Sequence, residues 1–145
     1  MATRTERLHL KYTAVQLFDL VADVERYPDF LPWVIAARIR QRDDQTLWVD
    51  MTMGTGFLRR QFSTVAVLDR PRRIDISSHD SQFERFEQRW NFQDAAGGGT
   101  NIEYHVDFRF RSRLLQTLIG ASFADRAAEM IEAYRHRASH LYEAP

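Results

Sequence analysis

The chain has 145 residues, with Lys+Arg 20 against Asp+Glu 20, 44% hydrophobic residues and no cysteine. That composition suits a soluble globular domain and is read as one domain over residues 1–145. It excludes disulfides, thiolate metal centres, Fe–S clusters and cysteine nucleophiles, and a formal net charge of zero argues against a protein that coats DNA or an anionic surface.

Thr3 to Lys11 alternates weakly as a first strand. Thr13 is placed to cap a helix carrying Val15, Phe18, Leu20, Val21 and Val24. Pro28 and Pro32 then interrupt regular structure, and a short helical turn is expected between them, with Pro28 at its start. Leu47, Val49, Met51 and Met53 alternate with Trp48, Asp50 and Thr52, followed by a turn at Gly54-Thr55-Gly56. Phe62, Thr64, Ala66 and Leu68 form the next strand, Asp69-Arg70-Pro71 the next turn, and Ile74 and Ile76 a short strand after it. Phe86, Gln88, Trp90 and Phe92 alternate with Glu87, Arg89 and Asn91. Gly97-Gly98-Gly99 closes a hairpin into the clearest strand, where Ile102, Tyr104, Val106, Phe108 and Phe110 alternate with charged residues.

After Arg111 the period becomes helical. Leu115, Ile119, Phe123, Ala127, Met130, Tyr134, Ala138 and Leu141 form one stripe, which predicts a helix from Ser112 to about Tyr142, roughly 45 Å long at about 1.5 Å per residue. One amphipathic helix and one amphipathic sheet have each other to bury against. The fold class is α+β: a curved antiparallel sheet wrapped around a long C-terminal helix, with short N-terminal helices closing one end.

The facing surfaces supply Met51, Met53, Phe62, Phe86, Trp90, Tyr104, Phe108, Phe123, Met130 and Tyr134. Such residues fill a core, and they also line irregular apolar cavities. The segment Tyr27-Pro28-Asp29-Phe30-Leu31-Pro32-Trp33 places aromatics beside prolines in a connection, where polar residues are the norm. It reads either as a plug on the sheet or as a rim whose Phe30, Leu31 and Trp33 touch ligand or lipid.

This YPxFLPW segment, followed by methionine-bearing strands around a glycine turn and a long terminal helix, resembles the coenzyme Q-binding proteins of the START-like superfamily over essentially the whole chain. The resemblance implies a helix-grip fold with a hydrophobic tunnel between sheet and helix. It further implies binding of ubiquinone or a similar polyprenyl lipid, in a carrier serving respiration or quinone biosynthesis. The ligand-binding residues expected on that basis are Tyr27, Pro28, Phe30, Leu31, Trp33, Met51, Met53, Phe62, Trp90, Tyr104, Phe108, Phe123 and Met130. The same superfamily holds two alternatives. Some bacterial relatives associate with ribosomal subunits, for which Arg59, Arg60, Arg72 and Arg73 are the candidate phosphate contacts. Others are cyclases and aromatases of polyketides.

Catalytic signatures are not found. His136 and His140 have a metal-capable spacing but no evident third ligand. Gly120-Ala121-Ser122-Phe123 falls inside the helical stripe, not at a strand-to-helix turn. Glu103, His105 and Asp107 alternate on a wet strand face, as exposed charges commonly do. Gly54-Thr55-Gly56 lacks the later glycine and following helix of a dinucleotide fingerprint. The expectation is a non-enzymatic protein without metal or cofactor and without DNA as a partner. It is expected in the cytosol, because the first ten residues carry charges where a secretory signal needs an apolar centre. Contact with the inner membrane would be transient and peripheral.

Overall fold

The computed structural model describes residues 2–55, 58–120 and 127–143. Seven strands form one antiparallel sheet: β1 (Ala2–Leu10), β2 (Val34–Arg42), β3 (Thr46–Thr55), β4 (Leu58–Asp69), β5 (Arg73–Ser77), β6 (Phe83–Asp94) and β7 (Thr100–Phe110). Their spatial order is β1-β7-β6-β5-β4-β3-β2, so the first strand returns to pair with the last and every other neighbour follows in sequence. The sheet curves and carries its helices on the inner face.

Alternation decides that face. Along β7, Thr100, Ile102, Tyr104, Val106, Phe108 and Phe110 are buried, while the intervening residues are exposed or half-buried. Strand β6 keeps the pattern through Phe86, Trp90 and Phe92, with Gln88 half-buried, and a register shift between Phe83 and Arg85 changes its parity. That bulge brings Phe83 and Phe86 to the same side, three residues apart, and Phe83 then packs on Phe62, Phe86 and Phe110 with ring centroids 5.1, 4.9 and 5.1 Å away. A strict period of two hides Phe83. The β6–β7 hairpin turns through Gly98 (φ 98°) and Gly99 (φ 73°), a backbone region that side chains rarely enter.

Helix α1 (Ala14–Ala22) starts with a reciprocal capping box: Gln16 N–H donates to Thr13 Oγ1 at 3.1 Å, and Thr13 N–H donates to Gln16 Oε1 at 3.0 Å. It buries Ala14, Leu17, Phe18, Leu20 and Val21; Val15, expected on that stripe, is 41% exposed. A 3-10 helix follows at Val24–Asp29, so Pro28 lies near the end of the helical turn and does not start it.

Two further elements differ from expectation. Strand β2 was not anticipated, because its exposure pattern is almost entirely outward at the sheet edge and it carries no clean alternation. The terminal segment, expected as one regular helix, is helical in its described residues but opens as a short helix α2 (Arg113–Leu115) that passes into a π turn (Gln116–Gly120); after residues outside the description comes helix α3 (Ala127–Tyr142). Helix α3 buries Ala127, Met130, Ile131, Tyr134 and Ala138 against the sheet. Its apolar stripe stops short of Leu141, which is 47% exposed, and Tyr142 packs instead, its hydroxyl donating to the Gln16 carbonyl at 2.9 Å. No helix among the described residues is long and apolar enough to cross a membrane.

Candidate functional site

The inner face between β6, β7 and α3 is an aromatic cluster. Trp90 of β6 and Tyr104 of β7 are register partners with ring centroids 4.5 Å apart, and Tyr134 of α3 meets Trp90 edge-on at 4.9 Å. The Tyr27–Trp33 segment closes on the same helix. Tyr27 and Phe30 both present edges to the Tyr134 ring, at 5.8 and 5.3 Å, and the Arg137 guanidinium lies 5.3 Å from the centre of Phe30. Arg137 also stands 3.9 Å from the Asp29 carboxylate. The segment therefore grips α3 from outside the sheet. Tyr27 and Leu31 are buried, Phe30 and Trp33 half-buried, and Pro28 is exposed.

Three tyrosine hydroxyls converge here. Tyr27 donates to the Val21 carbonyl at the end of α1, and its hydroxyl is also within hydrogen-bonding reach of Tyr134. Tyr104 is fully buried, and its hydroxyl has no hydrogen-bond partner among the described residues. Burial raises the pKa of all three well above the usual phenol value; the proximity of Tyr27 raises Tyr104 and Tyr134 further. They are neutral donors, poorly suited to act as acids or bases. Leaving the Tyr104 donor unsatisfied costs about 1–3 kcal/mol in a core otherwise built from hydrocarbon.

Of the other expected residues, Phe62, Phe108 and Met130 are buried in the same core, and Met51 and Met53 are half-buried at its edge. Phe123 lies outside the described residues, as does Gly56 of the glycine turn. A small cavity of about 10 Å³, measured as room for the centre of a water molecule, lies beside the Trp90–Tyr134 contact, lined also by Leu8, Leu10, Leu17, Leu20, Val21, Ile102 and Ile131. Trp90 alone of the expected ligand-binding residues lines it. Space of that size holds about one water, and an apolar lining leaves it dry. The helix α1 side chains in its lining belong to the short N-terminal helices expected to close one end, and those of β1 to the weak first strand; neither set was expected at a site. Their helical and strand spacing is that of any core.

Gly54 N–H donates to the Trp33 carbonyl at 3.0 Å, so the aromatic segment is bonded to the end of β3. Across the β3–β4 ladder Met51 pairs with Phe62 and Met53 with Arg60. Arg60 therefore shares the inner-face parity of Phe62, and its Nε donates to Gln82 Oε1 at 3.0 Å. Sequence reading placed Arg60 among surface phosphate contacts; the strand parity makes it part of the rim. Arg72 and Arg73 are engaged with Asp94 and Asp75, at 3.9 and 2.6 Å, while Arg59 is exposed. On the outer face His105 Nδ1 is 2.7 Å from Thr5 Oγ1, and Asp107 accepts from Arg85 at 2.8 Å, so these residues serve cross-strand pairing. His136 and His140 are exposed, and no cluster of three potential metal ligands occurs among the described residues.

A curved antiparallel sheet gripping a terminal helix is the architecture of the START-like proteins, and residues 10–135 match the family described as "Polyketide cyclase / dehydrase and lipid transport". The chain belongs to that family. It is 31% identical over 143 residues to the "Ribosome association toxin RatA" of Pseudomonas aeruginosa, covering 98% of this chain and 99% of that protein. It is 28% identical over 144 residues to the "Coenzyme Q-binding protein coq10, mitochondrial" of Schizosaccharomyces pombe, covering 93% and 85%. Among solved structures, the 18 kDa protein CC1736 of Caulobacter crescentus superposes with a TM-score of 0.78 at 33% identity, covering 99% and 100%. A START superfamily protein of Mycobacterium smegmatis gives 0.78 at 15% identity, covering 97% and 99%, which concerns the fold alone. The START-like helix-grip expectation holds.

Proposed function

We propose that the chain is a non-enzymatic carrier that holds a polyprenyl quinone, ubiquinone or a close analogue, between the sheet and α3. The observation that carries this reading is the unpartnered Tyr104 hydroxyl in an aromatic, apolar interior. A quinone is complementary to it, because a ring carbonyl accepts from a neutral phenol while the isoprenoid tail needs only hydrocarbon. Each buried methylene contributes about 0.8 kcal/mol, so a few isoprene units supply the drive for entry. The flexible Met51, Met53 and Met130 side chains are suited to adapting to an irregular apolar tail. The Coenzyme Q-binding relative agrees with this reading. Chloroform–methanol extraction of protein purified from a ubiquinone-producing host, followed by mass spectrometry, tests it. Quinone retained through purification is the expected result, and its absence counts against the carrier.

The ribosome association toxin relative supports a second reading, in which the exposed Arg59 and the weakly paired Arg72 contact ribosomal RNA. Binding through such contacts weakens steeply with salt. Cosedimentation with large ribosomal subunits at low salt favours it, and its failure there removes it. A cyclase reading finds little support: the inner face presents buried tyrosines and no buried carboxylate or histidine among the described residues.

A further inference from the structure

The segment that leads from β7 toward α3 exposes two large apolar side chains one helical turn apart, Leu114 at 67% and Leu118 at 57%. Their projection is fixed from behind. Ser112 caps the short helix by accepting from Leu115 N–H at 3.2 Å, Leu115 packs against the core, and Gln116 Oε1 accepts the Phe110 N–H at 2.9 Å. The leucines therefore stand outward on an anchored turn. Arg111 and Arg113 come just before them in the chain, both exposed and neither in an ion pair with a carboxylate among the described residues, whereas Arg109, two residues before Arg111, is paired with Glu84 at 3.0 Å. Exposed apolar side chains beside cations that have no acidic partner among the described residues form the pattern of a surface that enters an anionic lipid interface. RNA offers phosphates to the arginines but nothing to the leucines.

Position strengthens the reading. Arg111 N–H donates to the Gln82 carbonyl at 3.0 Å, and the Gln82 side chain accepts from Arg60, which pairs with Met53 across the ladder. Gly54 follows Met53 and is bonded to Trp33. A short chain of contacts thus places the leucine turn at the rim where Met53 and Trp33 border the inner face.

We propose that Arg111 to Leu118 is a docking knob for an anionic lipid bilayer, set at the rim so that an apolar ligand passes between bilayer and protein without crossing water. The purpose assigned to this contact rests on the carrier reading; the contact itself is testable alone. Flotation of the full chain with vesicles of phosphatidylcholine and phosphatidylglycerol in roughly equal amounts, prepared without quinone, is the direct experiment. The wild-type chain is expected to float with the vesicles. Leu114→Ser with Leu118→Ser is expected to weaken vesicle binding by about tenfold or more, as is Arg111→Gln with Arg113→Gln, and the arginine pair also lowers the salt dependence. All four side chains are exposed, and circular dichroism checks that each variant is folded. A wild-type chain that stays off the vesicles at low salt, or a leucine variant that floats like the wild type, overturns the proposal. Ribosomal-subunit binding lost in the arginine variant but kept in the leucine variant, without vesicle binding, assigns the surface to RNA and overturns it too. Quinone extracted from the same preparations separates the two claims: wild-type protein that holds quinone but ignores vesicles defeats the knob, and protein that floats but holds no quinone defeats the carrier.

Discussion

The rings of Tyr104 and Trp90 meet at a tilt across the β6–β7 ladder, with centroids 4.5 Å apart, and the Tyr104 hydroxyl ends in the core without a partner among the described residues. Removing the hydroxyl from the ligand-free protein relieves an unsatisfied donor. Tyr104→Phe is therefore expected to leave stability unchanged or raise it by about 1 kcal/mol, read as the denaturant midpoint. The same variant is expected to retain less quinone, measured by extraction. A drop in stability of the ligand-free variant shows that the hydroxyl is already satisfied.

Tyr27 presents the opposite case, because its hydroxyl bonds to the Val21 carbonyl and joins the aromatic segment to the end of α1. Tyr27→Phe leaves that buried carbonyl short of a donor and is expected to destabilise the protein by about 1–2 kcal/mol in urea unfolding.

Glycine positions at the β6–β7 hairpin separate backbone strain from open space. A Cβ at Gly99 would meet the Leu10 carbonyl oxygen at 2.4 Å with φ at +73°, whereas one at Gly97 meets nothing within 4 Å. Gly99→Ala is expected to cost about 2 kcal/mol or more, and Gly97→Ala less than about 0.5 kcal/mol, by thermal or urea unfolding.

Asp75 gives a pH dependence of definite sign. Its partial burial acts to raise its pKa, but hydrogen bonds from Arg89 and Arg73 outweigh that and hold the carboxyl below its usual range. A carboxylate with a depressed folded-state pKa contributes stability above the unfolded-state value, and that contribution is lost as pH falls through the folded-state value. Unfolding midpoints compared near neutral pH and at about pH 3 are therefore expected to fall less in Asp75→Asn than in the wild type, at moderate salt.

How much of this was legible in the sequence depended on whether a residue's role follows from its neighbours in the chain. The alternation from Ile102 to Phe110 and the glycine hairpin before it encode β7 directly, because one face is buried along its whole length. Strand β2 is an edge with few inward residues, so its period carries little signal. Phe83 was hidden by a bulge, and Ile131 lay one position off the expected stripe. The expected cluster of Trp90, Tyr104, Phe108 and Tyr134 assembled because each lies on an unambiguous buried face. The inward parity of Arg60, the grip of Tyr27 and Phe30 on Tyr134, and the Gly54–Trp33 bond were not legible, since each depends on how distant strands register.

The central claim is that the interior beside Trp90 opens to take a quinone. The most direct measurement is fluorescence of a variant in which Trp33 and Trp48 are replaced by phenylalanine, leaving Trp90 to report as the single tryptophan. Titration with a short-chain ubiquinone analogue is predicted to quench Trp90 in a saturable way, with weaker binding when Tyr104→Phe is added. Emission that stays constant up to the solubility limit of the analogue, from folded protein stripped of endogenous lipid, would contradict the account.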